Sequence, residues 1–144
     1  MRKGWGWGWG GRKLAGASTA GQAVNTKLIG DSAENRALAH LQHHGLQLLQ
    51  RNYRLAGGPR QRGAEIDLVM AAPDGTLVFV EVRARAAAGH GGAASSVTAA
   101  KQRRIVRAAQ HYLLGLAAPP PCRFDVVAID GARLQWLQAA FDAA

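Results

Sequence analysis

Apolar positions change their period along the chain, and the changes mark out elements. Ala37, Leu38 and Leu41 recur at helical spacing. Asp31 precedes them as an N-cap residue type, with Glu34 three residues on in capping-box position, and Gly45 supplies a stop. The pattern thus predicts a first helix from about Asp31 to Gly45. Leu46–Gln50 reads as a strand running on into Arg51-Asn52-Tyr53-Arg54, and Gly57-Gly58-Pro59 breaks the chain. Two apolar strands follow, Glu65–Ala71 and Thr76–Arg85, on either side of Pro73-Asp74-Gly75. Residues 86–95 are rich in Ala and Gly and read as a mobile loop. Ser95 or Ser96 then opens a second helix through about Leu114, stopped by Gly115 and Pro119-Pro120-Pro121. Arg123–Ile129 reads as a fourth strand, and Arg133–Leu137 as a short fifth. The order α-β-β-β-α-β-(β) predicts an α/β fold, a mixed sheet flanked by helices.

The hairpin of the second and third strands carries the chemistry. A turn centred on Asp74 puts Asp67 opposite Glu81. Because i and i+2 share a face of a strand, Glu65, Asp67 and Val69 are expected on one side with Phe79, Glu81, Arg83 and Arg85. Ile66, Leu68, Met70, Val78, Val80 and Val82 are expected on the other, building a core. Two carboxylates side by side within apolar strands oppose folding. A hard divalent cation such as Mg²⁺ or Mn²⁺ removes that opposition and accepts phosphate oxygens at its open positions. An even-length turn would rotate Asp67 to the opposite face. The competing reading has Glu81 paired with Arg83 or Arg85 on a solvated face while Asp67 caps a bulge.

Composition narrows the class of partner. The chain has 144 residues, room for one compact domain, and 18 Lys+Arg against 9 Asp+Glu give a net charge of +9. Five of the basic residues (Arg2, Lys3, Arg12, Lys13, Lys27) lie in the first 28 positions, which hold no acid. Removing them leaves thirteen against nine, so residues 29–144 are only mildly basic. Residues 1–28, with Gly-Trp-Gly-Trp-Gly-Trp-Gly-Gly at 4–11, read as a disordered arm. Its tryptophans and cations suit stacking on bases and contact with phosphates, and equally a tail without function. Apolar runs are only a few residues long, as in Leu77-Val78-Phe79-Val80. No membrane span is therefore expected, and the start lacks the apolar stretch of a signal peptide, so a cytoplasmic location is expected. The one cysteine, Cys122, forbids an internal disulfide.

The chain resembles the YraN family of predicted bacterial endonucleases, distantly related to archaeal Holliday-junction resolvases. The resemblance rests on Gly30…Glu34-x-x-Ala37, Arg51-Asn52-Tyr53-Arg54, Glu65-Ile66-Asp67-Leu68 and Val78-Phe79-Val80-Glu81-Val82-Arg83-x-Arg85. Further landmarks are Lys101…Arg104, Arg123-Phe124-Asp125-Val126-Val127 and Ala140-Phe141. It implies a restriction-endonuclease-like fold over residues 29–144 with a PD-(D/E)XK type of site. Asp67 and Glu81 match the metal-binding acids, and Glu34 matches a helix-borne acid that joins the site in resolvase-like relatives. Arg83 stands where the family usually has a lysine that orients or deprotonates the attacking water. A guanidinium with a pKa above about 12 is no base, but it can clamp phosphate or stabilise charge in the transition state.

On the second helix, Lys101, Arg104, Arg107 and His111 fall near one side, with Val97, Ile105, Ala109 and Tyr112 largely on another. The cations, with Arg85, are expected to meet phosphates, and the alternative is a solvated face. His40 and His44 are spaced i, i+4, yet no Cys or acid pattern completes a zinc set. Arg123 and Asp125 are expected to form an internal ion pair. Together these features predict a metal-dependent endonuclease acting on DNA, including branched or structured DNA. The alternative is a nucleic-acid-binding module that has lost turnover through Arg83. Many enzymes of this fold cut two strands as dimers, so a homodimer is also considered, without a sequence stretch to mark its face.

Overall fold

The computed structural model describes residues 25–85 and 97–143. The Gly/Trp stretch of the arm, the Ala/Gly-rich segment 86–95 and the caps expected at Ser95 or Ser96 lie outside the described residues. The elements are α1 (Asn25–His43), β1 (Gln47–Leu55), β2 (Ala64–Ala71), β3 (Leu77–Arg85), α2 (Ala99–Leu114), β4 (Cys122–Asp130) and β5 (Arg133–Phe141). They follow the predicted order. The strands form one sheet in the order β1-β2-β3-β4-β5, antiparallel except for the parallel pair β3–β4 that α2 connects. This is the arrangement of a restriction-endonuclease-like fold.

Helix α1 begins at Asn25, earlier than expected, so Asp31 lies within it and does not cap it. Its end follows the sequence signal. Gly45 takes φ +94°, with its N–H on Gln42 O at 3.0 Å and the Leu46 N–H reaching back to Leu41 O at 3.1 Å, a Schellman closure. Helix α2 starts at Ala99, later than the Ser95 or Ser96 opening expected, and is capped by Thr98, whose hydroxyl accepts the Lys101 N–H at 3.2 Å. At the turn before β3, Gly75 has φ +91°, and Asp74 Oδ1 accepts the Thr76 N–H at 3.0 Å. That local chemistry puts Ala71 opposite Leu77 and Leu68 opposite Val80, the expected register.

Each helix covers one face of the sheet. Ala33, Ala37 and Leu41 of α1 pack on Leu68, Met70, Val78, Val80, Val127 and Ile129. Ile105, Ala108 and Ala109 of α2 pack on Ile66, Val69, Ala71, Leu77, Phe79, Phe124 and Val126. Ile66 thus joins the α2 layer, whereas strict alternation had placed it with Leu68 and Met70. Alternation breaks between them, at Asp67. Opposite, in β1, Asn52 lies between the pairs Arg51↔Leu68 and Tyr53↔Ile66 and takes φ +51°. A left-handed residue in one strand and a change of face in its neighbour form one kink.

The far side of the sheet has a second interruption. Between Phe124 and Val126 the β4–β5 register shifts, and Ala139 takes φ +50°. The carboxylate of Asp125, which is fully buried, fills the gap. It accepts from Ala139 N at 2.9 Å, Trp136 Nε1 at 2.9 Å and Arg123 Nε at 3.0 Å. The ion pair expected for Arg123 is therefore part of a larger network that extends β5 to Phe141, beyond the short strand expected. No helix among the described residues is long and apolar enough to cross a membrane. Because Asp125→Ala strands several buried donors at once, it should lower unfolding free energy by about 3 kcal/mol or more in urea titration. Asp125→Asn, which retains an acceptor oxygen, should cost less.

Candidate functional site

The kink in β2 sits where β2 and β3 part. Their ladder ends at Leu68↔Val80. Two residues further along β3, the Val82 N–H donates to Asp67 Oδ2 at 2.8 Å. A side-chain carboxylate has taken a place in the gap that a backbone carbonyl would fill in a continuous ladder. This holds Asp67 against β3 beside Glu81.

Glu81 is 3% exposed, in the apolar sequence Val78-Phe79-Val80-Glu81-Val82. Burial, and then the charge of Glu81, push the Asp67 carboxyl up to about 8 against the opposing pull of the Val82 N–H. Glu34 and Glu65 add smaller raising effects on Asp67. Burial also raises Glu81, opposed by Lys101 and then Arg83. Two cations reach the same carboxylate oxygen: Arg83 NH1 lies 3.3 Å and Lys101 Nζ 3.5 Å from Glu81 Oε2. The Glu81–Arg83 pair of the competing sequence reading is present, but its carboxylate end is buried and only the Arg83 end is partly exposed.

The other expected residues separate into two groups. Glu34 accepts from Arg51 NH2 at 3.2 Å. Its side chain is thus held to β1 rather than to the start of α1, although its charge is felt at Asp67. Arg104 lies half-buried on α2, one turn from Lys101. Arg107 was expected to face phosphate, but its guanidinium donates to the carbonyl of Arg62 and fastens the β1–β2 hairpin to α2. His111 is bonded to the Tyr53 hydroxyl. Arg85 ends β3, opposite Asp130 in the parallel register, away from the acid pair. His40 and His44 pack on each other and on Trp136 of β5, and His43 packs on His44.

Lys101 is the member that the sequence placed differently. It was expected to meet phosphates from a cationic helix face, and it stands against Glu81. The one sequence signal for this place is Thr98, whose cap fixes the turn that Lys101 belongs to.

Among the described residues, no group of three or more His, Cys, Asp or Glu side chains is arranged to hold a metal ion. The donor chemistry of Asp67 and Glu81 nevertheless fits a hard divalent cation. Both present carboxylate oxygens, both are raised by burial, and Mg²⁺ is commonly held by one or two carboxylates with water in its remaining positions.

Comparison with known proteins gives a consistent result. The profile described as "Uncharacterised protein family UPF0102" matches residues 33–129, which include every residue of the site. A UPF0102 protein of Methylibium petroleiphilum is 65% identical over 120 residues, covering 83% of this chain and 98% of the relative. One of Albidiferax ferrireducens is 62% identical over 122 residues, covering 85% and 93%. One of Cupriavidus necator is 64% identical over 121 residues, covering 84% and 88%.

The raised Asp67 carboxyl makes a prediction for the metal-free protein. Unfolded, Asp67 ionises near 3.8, and folded near 8. Between those values the folded state binds more protons than the unfolded state, so the contribution of Asp67 to stability falls as pH rises through that window. Thermal melts in EDTA should therefore show wild type losing stability relative to Asp67→Asn from about pH 4 to 8. The gap has an upper scale of about 1.4 kcal/mol per pH unit of displacement. Mn²⁺ at pH 8 should narrow the gap by stabilising wild type alone.

Proposed function

The chain belongs to the uncharacterised protein family UPF0102, and for it we propose a Mg²⁺- or Mn²⁺-dependent endonuclease that hydrolyses phosphodiester bonds in DNA, branched or structured DNA included. The observation that carries this reading is the convergence of the buried Glu81, the part-buried Asp67 and two cations where β2 and β3 separate. The restriction-endonuclease-like arrangement of the sheet and the resemblance of the motifs to predicted endonucleases add to it. Fold alone does not select a chemistry, so the weight rests on the site.

Asp67 and Glu81 would hold the cation. When bound, it supplies a Lewis acid for the phosphate and lowers the pKa of attacking water. Val82, through its N–H on Asp67 Oδ2, orients that carboxylate before substrate arrives. Arg83 stays protonated and therefore serves as a hydrogen-bond donor to phosphate and to developing negative charge, not as a base. Lys101 adds an ammonium from α2, within 3.5 Å of Glu81. With a divalent cation held by Glu81, both side chains would be able to turn from that ion pair toward the phosphate. Lys101 then supplies the lysine that the strand position lacks.

One observation favours a second reading. Arg83 occupies the usual lysine position, which suits a binding module that keeps the fold without turnover. The two readings part in a cleavage assay with labelled single-stranded, duplex and four-way-junction DNA in Mn²⁺, Mg²⁺ or EDTA. The nuclease reading expects metal-dependent cutting that falls by on the order of a hundredfold or more in Asp67→Asn and in Lys101→Ala. Arg83→Lys should cut at least as fast as wild type. Tight DNA binding with no cutting by wild type or Arg83→Lys would move the assignment to the binding module.

A further inference from the structure

Beside Glu81, a cavity of about 500 Å³ opens between the tip of the β1–β2 hairpin and α2. Its charged lining is Arg54, Arg62, Lys101 and Arg104 against Glu65. Glu65 is already engaged, accepting from Arg54 Nε at 3.2 Å. The remaining excess of positive charge excludes a cation and disfavours an apolar ligand, because such a ligand would desolvate the guanidinium groups without pairing them. It suits a polyanion.

The cavity wall is held by contacts within the chain. Gly57 and Gly63 line it where the hairpin narrows, and a Cβ on Gly57 would stand 2.6 Å from both Gln61 O and Gly63 N. The hairpin can therefore close this tightly only with glycine there. Gly58 and Gln61 bridge its tip, and Arg107 ties the carbonyl of Arg62 to α2. The two arms of the cavity, hairpin and helix, are thereby held at a set distance before binding, which lowers the entropy lost when a ligand is taken up.

Lys101 joins this cavity to the acid pair. It belongs to the lining, and its Nζ is 3.5 Å from Glu81 Oε2. A strand whose scissile phosphate rests at Asp67 and Glu81 would thus have its next backbone phosphate on the cavity side. We propose that this cavity is a phosphate subsite, in which Arg62 and Arg104 hold the DNA backbone phosphate adjacent to the one being cut. The proposal rests on the nuclease reading for the position of the cut, but the binding it requires does not depend on turnover. The hairpin around Gly57-Gly58-Pro59, read from sequence only as a chain break, becomes one wall of this subsite.

The test is fluorescence anisotropy of labelled duplex DNA across a salt series in EDTA and in Ca²⁺. Wild type is compared with Arg62→Ala/Arg104→Ala, Arg104→Glu and, as a control, Arg133→Ala at the start of β5. Arg62→Ala keeps the backbone carbonyl that Arg107 holds, and circular dichroism melts check that each variant is folded. The double variant should bind roughly tenfold or more weakly, with a log–log salt slope smaller by about 0.9, as expected for one phosphate no longer neutralised. Arg104→Glu should weaken binding further, and Arg133→Ala should leave it unchanged. Those changes without cleavage by wild type would support the subsite while removing the nuclease reading. A folded double variant with wild-type affinity and slope would overturn the subsite even if wild type cuts DNA. Failure of wild type to bind DNA would overturn both.

Discussion

Two carboxylates held together inside a sheet are the constraint on which the rest of this molecule turns. Burial opposes the ionised form of both Asp67 and Glu81, and the charge of Glu81 further opposes ionisation of Asp67. They are kept together because the strands that carry them are pinned elsewhere. The Pro73-Asp74-Gly75 turn fixes the register from one end, and the α1 and α2 layers bury the apolar residues on either face. The Val82 N–H then secures Asp67 at the point where the ladder gives out. The apolar burial that stabilises β2 and β3 is thus what makes an under-compensated acid pair tolerable between them.

Asp125 supplies an internal comparison. It too is a buried carboxylate at a break in a ladder, and it too accepts a backbone N–H. Its oxygens, however, are also met by Arg123 and Trp136, so it reads as a structural repair of the β4–β5 interruption. Asp67 has one backbone donor and an acid for a neighbour, and Glu81 has two cations on one oxygen. The same chain therefore closes one buried acid into a completed network and leaves another pair ready to be neutralised. A group kept in that condition is a candidate for chemistry.

The legible parts of this fold were those written in local chemistry. Asp74 and Gly75 announce their turn because each has a backbone reason to be there, and the turn sets the register as far as Leu68 and Val80, next to the acid pair. Gly45 ends α1 for the same kind of reason. The period-2 argument failed at Ile66, because it assumes unbroken alternation and the left-handed backbone of Asn52 lies across from the point where the faces of β2 exchange. Asn tolerates left-handed backbone better than most residues, so a signal existed, but only pairing with β2 gives it consequence. Likewise Asp31 has the right chemistry for a cap, yet a helix that starts at Asn25 gives it no end to cap. Lys101 and Arg107 showed their charge in the sequence and not their partners, because Glu81 and the Arg62 carbonyl reach them only through tertiary packing.

The division of cations between strand and helix follows from that packing. On β3, a residue two positions after Glu81 shares its face and stays beside it whatever the helices do. Arginine there gives a planar, always-protonated donor suited to a phosphate oxygen, and it gives up the compact ammonium of lysine. On α2, Lys101 reaches the same oxygen from a different element, held in place by the Thr98 cap and by the buried Ile105, Ala108 and Ala109 below it. In the proposed nuclease, a site built this way would not need one strand residue to be both clamp and amine. It does need α2 seated at its present height on the sheet, so loosening the α2 layer would separate Lys101 from Glu81 while leaving Arg83 in place. The helix that closes the core is therefore also the element that completes the site.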